Sequence, residues 1–242
     1  RGAESVELTD YEDWHEDGHY GTVTVSLDPR LTPAANAQRL YRRYNKSKNA
    51  RVELSRQISL GEAELVYLDS VFDALTHAET AADLTEIREE LYRSGYASRM
   101  KQYKVTLSRK KAHPEVLWFR TTNGFRVACG KNNTQNEYVT HVLAGKNDYW
   151  FHAKGTAGSH AVLFCEGREP DVRDFTDAAE IAAYYSKASS SSAGTSNAEV
   201  DYTLAKNVKK PAGAKPGMVI YHVYQTAYVT PDEAEVEKLR VE

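Results

Sequence analysis

A repeat of alternating three- and four-residue steps runs through Ala37, Leu40, Tyr44, Ser47, Arg51, Leu54, Ile58, Gly61, Leu65, Leu68, Phe72 and Leu75. Apolar residues fill most of these positions, and Ser47, Arg51 and Gly61 are its weak members. Such a heptad predicts one long coiled-coil-type helix of about forty residues with a narrow seam for a partner helix. Thr32 is a good N-cap for it, and Pro33 suits the first helical position, where a missing N–H costs nothing. Upstream, VELTDYED and GTVTVSLDP alternate as two short strands around the polar turn WHEDGHY, so a β-hairpin is expected from about Val6 to Leu27. Downstream, DLTEIREELYRSG places Leu84, Ile87 and Leu91 on one helical face and ends at Gly95. That second helix is too short to cover the long seam. The expected cover is a further helix upstream of Arg1.

From Glu115 the period changes from helical to alternating. VLWFRTT, RVACG, NDYWFHAK, SHAVLFC, DYTLAKNVKK and MVIYHVYQTAYVTP read as strands. KNNTQNEYVTHVLA reads as a turn and short helix, and DFTDAAEIAAYYSKAS as a helix with Ala179, Ala182, Ala183 and Ser186 at helical spacing. Hairpin-linked strands that outnumber helices give a mixed α+β domain. The expected fold class is therefore α+β, in four parts. Residues 1–30 form a small N-terminal hairpin, 31–98 the long helix and a short second one, 99–114 a basic linker, and 115–235 the C-terminal domain. The Ser-rich stretch Ser189–Glu199 reads as a flexible loop.

Charge sharpens this layout. The net charge of −3 hides segregation. Residues 1–20 carry seven acids against one base, residues 30–56 eight bases against one acid, residues 99–111 six bases and no acid, and TLAKNVKKPAGAK four lysines and no acid. Separate basic blocks on a nearly neutral chain can present a local phosphate-binding surface. Cys129 and Cys165 form no C-x-x-C, which points to a reducing, cytoplasmic setting without a disulfide framework. The eight histidines show no tight ligand spacing, so neither a metal site nor a cofactor is expected. No apolar run reaches the roughly 18 residues that suggest a membrane span, and no membrane partner is expected.

The densest chemistry lies in NDYWFHAKGTAGSHAVLF. Asp148, His152 and Ser159 suggest a catalytic triad, but on a strand Asp148 and His152 stand about 13 Å apart. A triad needs hydrogen-bond contact, and no G-x-S-x-G turn is present. The chain is expected not to be an enzyme, and a hydrolase built on Ser159 and His160 is set aside. Binding suits the pattern better. Asp148, Trp150 and His152 share one strand face, where stacking and phosphate contact are possible, and Tyr149, Phe151 and Ala153 share the core face. Lys154 lines the same face as Trp150 and His152, and Gly158, Ser159 and His160 shape an adjoining turn whose backbone N–H groups suit an anion. Lys131, Asn132, Asn133, Gln135 and Asn136 offer amides suited to base edges, sugars and phosphates. Lys206, Asn207, Lys209 and Lys210 are expected to bind phosphate, with Lys206 and Lys210 on one face of a strand.

Several of these stretches carry a resemblance. NGF, GKNN, QNEYVT, DYWFHAK, GSH, AAYYSKA, VDYTLAKNVKKPAGAKPG and TAYVTP resemble, in order, the NFACT-R RNA-binding domain. SLDPRLTPAANAQRLYRRYNKSKNA and LTEIREELYRSGY are similar to the end of the same family's coiled-coil and middle segment. The NFACT family comprises ribosome-associated quality-control factors, whose bacterial members are also called fibronectin-binding protein A-like. The resemblance implies binding to tRNA and to the large ribosomal subunit carrying peptidyl-tRNA, in support of template-free C-terminal alanine tailing, with the transfer chemistry left to the ribosome. It implies RNA contact by the residues of these motifs, and another long helix before the middle segment. Asn123 stands where the family has Asp before Gly, a mild turn change. The older family name implies a rival, a surface adhesin for fibronectin or fibrinogen.

Overall fold

The computed structural model describes residues 2–96, 113–186 and 197–241, so most of the expected linker and Ser-rich loop lies outside the described residues. The fold is mixed α+β, in two compact units, residues 1–62 and 63–242.

In the first unit, β1 (Ser5–Trp14) and β2 (Tyr20–Ser26) pair antiparallel as the expected hairpin. α1 (Pro33–Thr76) starts where the sequence places it, with Thr32 Oγ1 accepting the Ala35 N–H. Asn36 is buried and ties the helix start to the preceding turn, accepting the Asp28 N–H and donating to the Asp28 carbonyl. The predicted seam is exposed at Leu54, Ile58, Leu65 and Phe72.

In the second unit, the end of α1 packs on α2 (Ala81–Arg93) through Tyr67, Val71, Ala74 and Ile87. Thr80 and Asp83 close a capping box at the start of α2, and Gly95, at φ +84°, ends it. The buried face of α2 is Asp83, Ile87 and Glu90; Leu84, expected inside, is exposed.

The C-terminal domain is a seven-stranded antiparallel sheet of β3 (Leu117–Arg120), β4 (Arg126–Cys129), β5 (Tyr149–Ala153), β6 (Ala161–Phe164), β7 (Ala198–Leu204), β8 (Gln225–Val229) and β9 (Arg240–Val241). Their spatial order is β8-β7-β5-β6-β4-β3-β9. The sheet runs past the expected end at 235, because the short α5 (Glu233–Leu239) returns the chain so that β9 pairs with β3. Strict alternation builds two cores. Phe119, Val127, Phe151, Leu163 and Val200 face α4 (Val172–Tyr184) and α5. Ala128, Trp150, Val162 and Phe164 face the π-helical turn Val139–Leu143, which follows α3 (Asn133–Tyr138), together with Val208, Val219 and Tyr221. Both faces of β5 are therefore covered, which corrects the expectation of a displayed Trp150–His152 face.

Candidate nucleic-acid interface

The amide cluster lies between helices. Asn132 caps α3 through the Gln135 N–H, and its own amide donates to Glu86. Asn133 Nδ2 donates to Ser70 Oγ at 2.8 Å and to Glu90 Oε1 at 3.0 Å. Gln135, fully buried, accepts the Lys131 N–H and donates to Glu86. Lys131 Nζ sits 2.8 Å from Asp83 Oδ2, with both side chains 8% exposed. Asn136 donates to the Gly158 carbonyl and accepts the His160 N–H. Expected to meet RNA, Lys131, Asn132, Asn133 and Gln135 instead hold α2 and the end of α1 against α3, and Asn136 ties α3 to the Gly158–His160 segment. Burial leaves them little surface to offer a ligand.

Two carboxylates of this latch titrate in opposite directions. Burial raises the Asp83 pKa, but the Lys131 ammonium, the Thr80 hydroxyl and the Thr80 N–H together bring it below the usual value. Burial raises Glu90 despite hydrogen bonds from Asn133 and Tyr67. An acid raised on folding stabilises fully below its unfolded pKa, and that contribution is lost as pH rises through the folded pKa. Glu90→Gln is accordingly expected to raise the urea midpoint at neutral pH and leave it unchanged near about pH 4. An equal shift at both pH values would remove the buried charge as the cause.

The β5 and β6 residues form a second buried network. Trp150 Nε1 donates to Thr140 Oγ1 at 3.1 Å, and that hydroxyl stands 2.8 Å from His160 Nδ1. The imidazole tautomer sets which of Thr140 Oγ1 and His160 Nδ1 donates in that bond. Burial and the neighbouring His152 and His141 hold the His160 pKa well below the usual range. His152 Nδ1 is 3.2 Å from the Ser159 carbonyl, and burial outweighs that carbonyl, Asp201 and the Thr156 carbonyl to lower its pKa. Ser159 is buried against Cys129, whose thiol burial pushes up to about 12. Asp148 accepts the N–H groups of Gly145 and Cys165, which fixes a turn. Lys154 is exposed and paired with Glu199 at 2.9 Å.

Of these, His152 and His160 border a cavity of about 590 Å³. Val66, Asp69 and Ser70 of α1 form one wall, and Asn133, Asn136, His152 and His160 another. The turn Gly155–Gly158 and the segment Gly217–Tyr221 close it.

The exposed cations lie elsewhere. Lys206 and Asn207 occupy a single 3-10 turn rather than a strand, which corrects the expected shared face with Lys210. Asn207 donates to Thr203, and Lys210 pairs with Glu137 at 2.8 Å. Lys206 joins Lys146, His141 and Gly145 around a cleft of about 170 Å³. Lys209 is exposed beside it in sequence. Among the described residues, no ion pair holds Lys146, Lys206 or Lys209. Sequence reading missed Lys146 and His141; their only signal was a lysine in the AGKND turn, sixty residues from the lysine tract. Among the described residues no three His, Cys, Asp or Glu side chains converge on a metal position, and no helix is long and apolar enough to cross a membrane.

Comparison with known proteins bears on this surface. Residues 1–111 match a family model described as NFACT N-terminal and middle domains, and residues 115–222 match one described as the NFACT protein RNA binding domain. The Rqc2 homolog RqcH of Bacillus subtilis is 40% identical over 240 residues, covering 99% of this chain and 40% of that relative. The Rqc2 homolog RqcH of Streptococcus suis is 38% identical over 219 residues, covering 90% of this chain and 38% of that relative. The chain thus spans well under half the length of these relatives. A solved structure of the C-terminal part of the fibronectin/fibrinogen-binding protein from Streptococcus suis superposes with a TM-score of 0.75 at 39% identity, covering 87% of this chain and 81% of that one.

Proposed function

The chain belongs to the NFACT family, and from that premise we propose that it is the RNA-binding part of a cytoplasmic ribosome-associated quality-control factor, engaging tRNA and the large ribosomal subunit that carries peptidyl-tRNA. In the full-length protein this part would support template-free alanine tailing. The single observation that carries the reading is the cluster of lysines without an ion pair among the described residues, Lys146 and Lys206 around one cleft and Lys209 next to it in sequence, within the segment that matches the RNA-binding family model. Two ammonium groups around one cleft, with no carboxylate among the described residues paired to either, suit a phosphate, and His141 adds a donor there. Lys210 joins only by leaving Glu137. The chain performs no chemistry of its own in this reading. Ser159 is buried, His152 meets its carbonyl rather than its hydroxyl, and Cys129 stays a thiol.

Binding of labelled tRNA across a salt series tests this. Replacing Lys146, Lys206 and Lys209 with Ala is expected to lower the slope of log K against log salt by about 2, at roughly 0.7 per cation on single-stranded RNA. An unchanged slope would sink the assignment of these lysines. Saturable binding of fibronectin with no tRNA binding would favour the adhesin reading.

A further inference from the structure

The sheet carries cations of another kind at its β3–β4 end. Arg120 on β3 stands directly opposite Arg126 on β4, and Arg126 stands opposite Phe164 on β6. The three form one row across neighbouring strands, and the next row on the same face is Trp118, Ala128 and Val162. Both arginines are exposed, and like charges placed opposite each other on a sheet are destabilising. An anion offsets that cost. Among the described residues Glu166 supplies one, 2.6 Å from Arg126 Nε, whereas Arg120 donates to the Gly124 carbonyl at 3.1 Å. Glu166 reaches its place from a strained turn. At φ +51° it is the one residue other than glycine with a positive φ among the described residues.

Arg126 is also held from below. Its guanidinium carbon lies 5.4 Å from the Phe164 ring centre and 5.7 Å from that of Trp118, and the two rings stack 5.7 Å apart at 29°. Glu166 takes Nε, so among the described residues the two terminal amino groups are left for a ligand. A planar cation fixed over aromatic rings, with half of its side chain still exposed, is a surface on which a base stacks. This platform adjoins the lysine cleft. Cys165, the residue after Phe164, donates its N–H to Asp148 and its thiol to the Asn147 carbonyl, so the end of β6 holds the turn that carries Lys146. Ala144 lines the cleft and packs against the apolar cluster that contains Phe164, as Trp118 does.

We propose that Arg126, seated on Trp118 and Phe164, stacks with an unpaired nucleobase of an RNA single strand whose phosphates lie in the lysine cleft. The inference rests on the RNA-binding reading and adds a base contact to it. Stacking here tolerates any sequence, because every base has a π-face. It separates single strands from duplexes, whose bases are already stacked on one another.

The test uses the full chain with three RNAs: a uridine octanucleotide, the same strand with base-free ribose at every position, and a duplex. The uridine strand is expected to bind about tenfold more tightly than the base-free one, near the lower end of what one stacked base contributes. Arg126→Lys keeps the charge and loses the plane. It should bring the uridine strand to within about twofold of the base-free strand and leave duplex binding and the salt slope unchanged, with an unaltered melting curve as the check on folding. Replacing Lys146 and Lys206 with Ala should do the reverse, lowering the slope and keeping the tenfold ratio. On the unaltered chain, an octamer containing 4-thiouridine should photo-crosslink to the β3 or β4 peptide. Crosslinks confined to other segments would overturn the platform. Equal binding of the uridine and base-free strands, or a tenfold ratio that Arg126→Lys leaves intact, would also overturn it while the lysine-dependent slope keeps the RNA reading standing. A loss in Arg126→Lys that falls equally on all three RNAs would make Arg126 a phosphate contact and overturn stacking. Absence of binding by every RNA would overturn both readings.

Discussion

Replacing Lys131 with Met is expected to cost about 3–5 kcal/mol of stability, because it leaves the buried Asp83 carboxylate without its cation. The pair is 2.8 Å apart and both side chains are 8% exposed, so water cannot replace the lost ammonium. For a unit of this size the melting temperature should fall by roughly 10 °C. Asp83 also caps α2 by accepting the N–H groups of Glu79 and Thr80. Asp83→Asn retains an acceptor for that cap, so the double variant isolates the charge. It should recover at least half of the loss, a coupling within the range found for contacting residues. Acid should act in the same direction as the lysine substitution. The Asp83 pKa is lowered on folding, so its contribution is present above the unfolded pKa and lost as pH falls through the folded one. A loss below about 1 kcal/mol for Lys131→Met would show that the pair is solvated in solution.

This result would also bear on binding. The α2–α3 latch fixes the end of α1, and Val66, Asp69 and Ser70 on that end form one wall of the large cavity. A loosened latch removes the wall while the lysine cleft, built from the π-helical turn and the 3-10 turn, stays in place. The salt dependence of RNA binding should therefore survive in the Lys131 variant.

The elements were legible where local spacing governs them. The hairpin, the 44-residue helix and its Thr32–Pro33 start follow from periods of two and three-to-four and from capping chemistry, all of which act within a turn or two. The sites were less legible because their partners are far away. Asn133 reads as a free amide until Glu90, 43 residues upstream, is placed against it. A signal for that docking existed: Asp83, Glu86 and Glu90 recur with Ile87 on one face of a helix, and a stripe of acids beside an apolar residue needs donors. Trp150 reads as half-exposed by alternation alone, since alternation states which residues share a face and not how many faces are covered. Only the packing of Thr140 and Val162 against it shows the second core. The lysine tract misled in another way. A 3-10 turn at Ala205–Asn207 breaks the strand period, so Lys206 turns to Lys146 rather than lining up with Lys210.

Gly158→Ala is expected to destabilise by about 3 kcal/mol, the upper end for an inserted methyl in a packed site. A Cβ at Gly158 would stand 2.3 Å from Ser186 Cβ and 3.0 Å from Ser186 Cα. Ser186 is fully buried, paired as a β-bridge with Gly158 and bonded through Oγ to the Ala183 carbonyl, so it cannot move aside cheaply. The backbone at Gly158 lies outside the positive-φ region, which makes the clash, rather than strain, the cause. Ser186→Gly alone loses the hydrogen bond to the Ala183 carbonyl and should cost at least about 1 kcal/mol. On the Gly158→Ala background the same change removes the closer contact and should instead restore stability by at least half of the loss. That reversal of sign, read from urea midpoints of the four proteins, distinguishes a steric contact from a general intolerance of the turn. The Gly158 carbonyl accepts the Asn136 amide whose oxygen holds the His160 N–H, so the methyl would also shift both imidazole-bearing strands at the cavity wall.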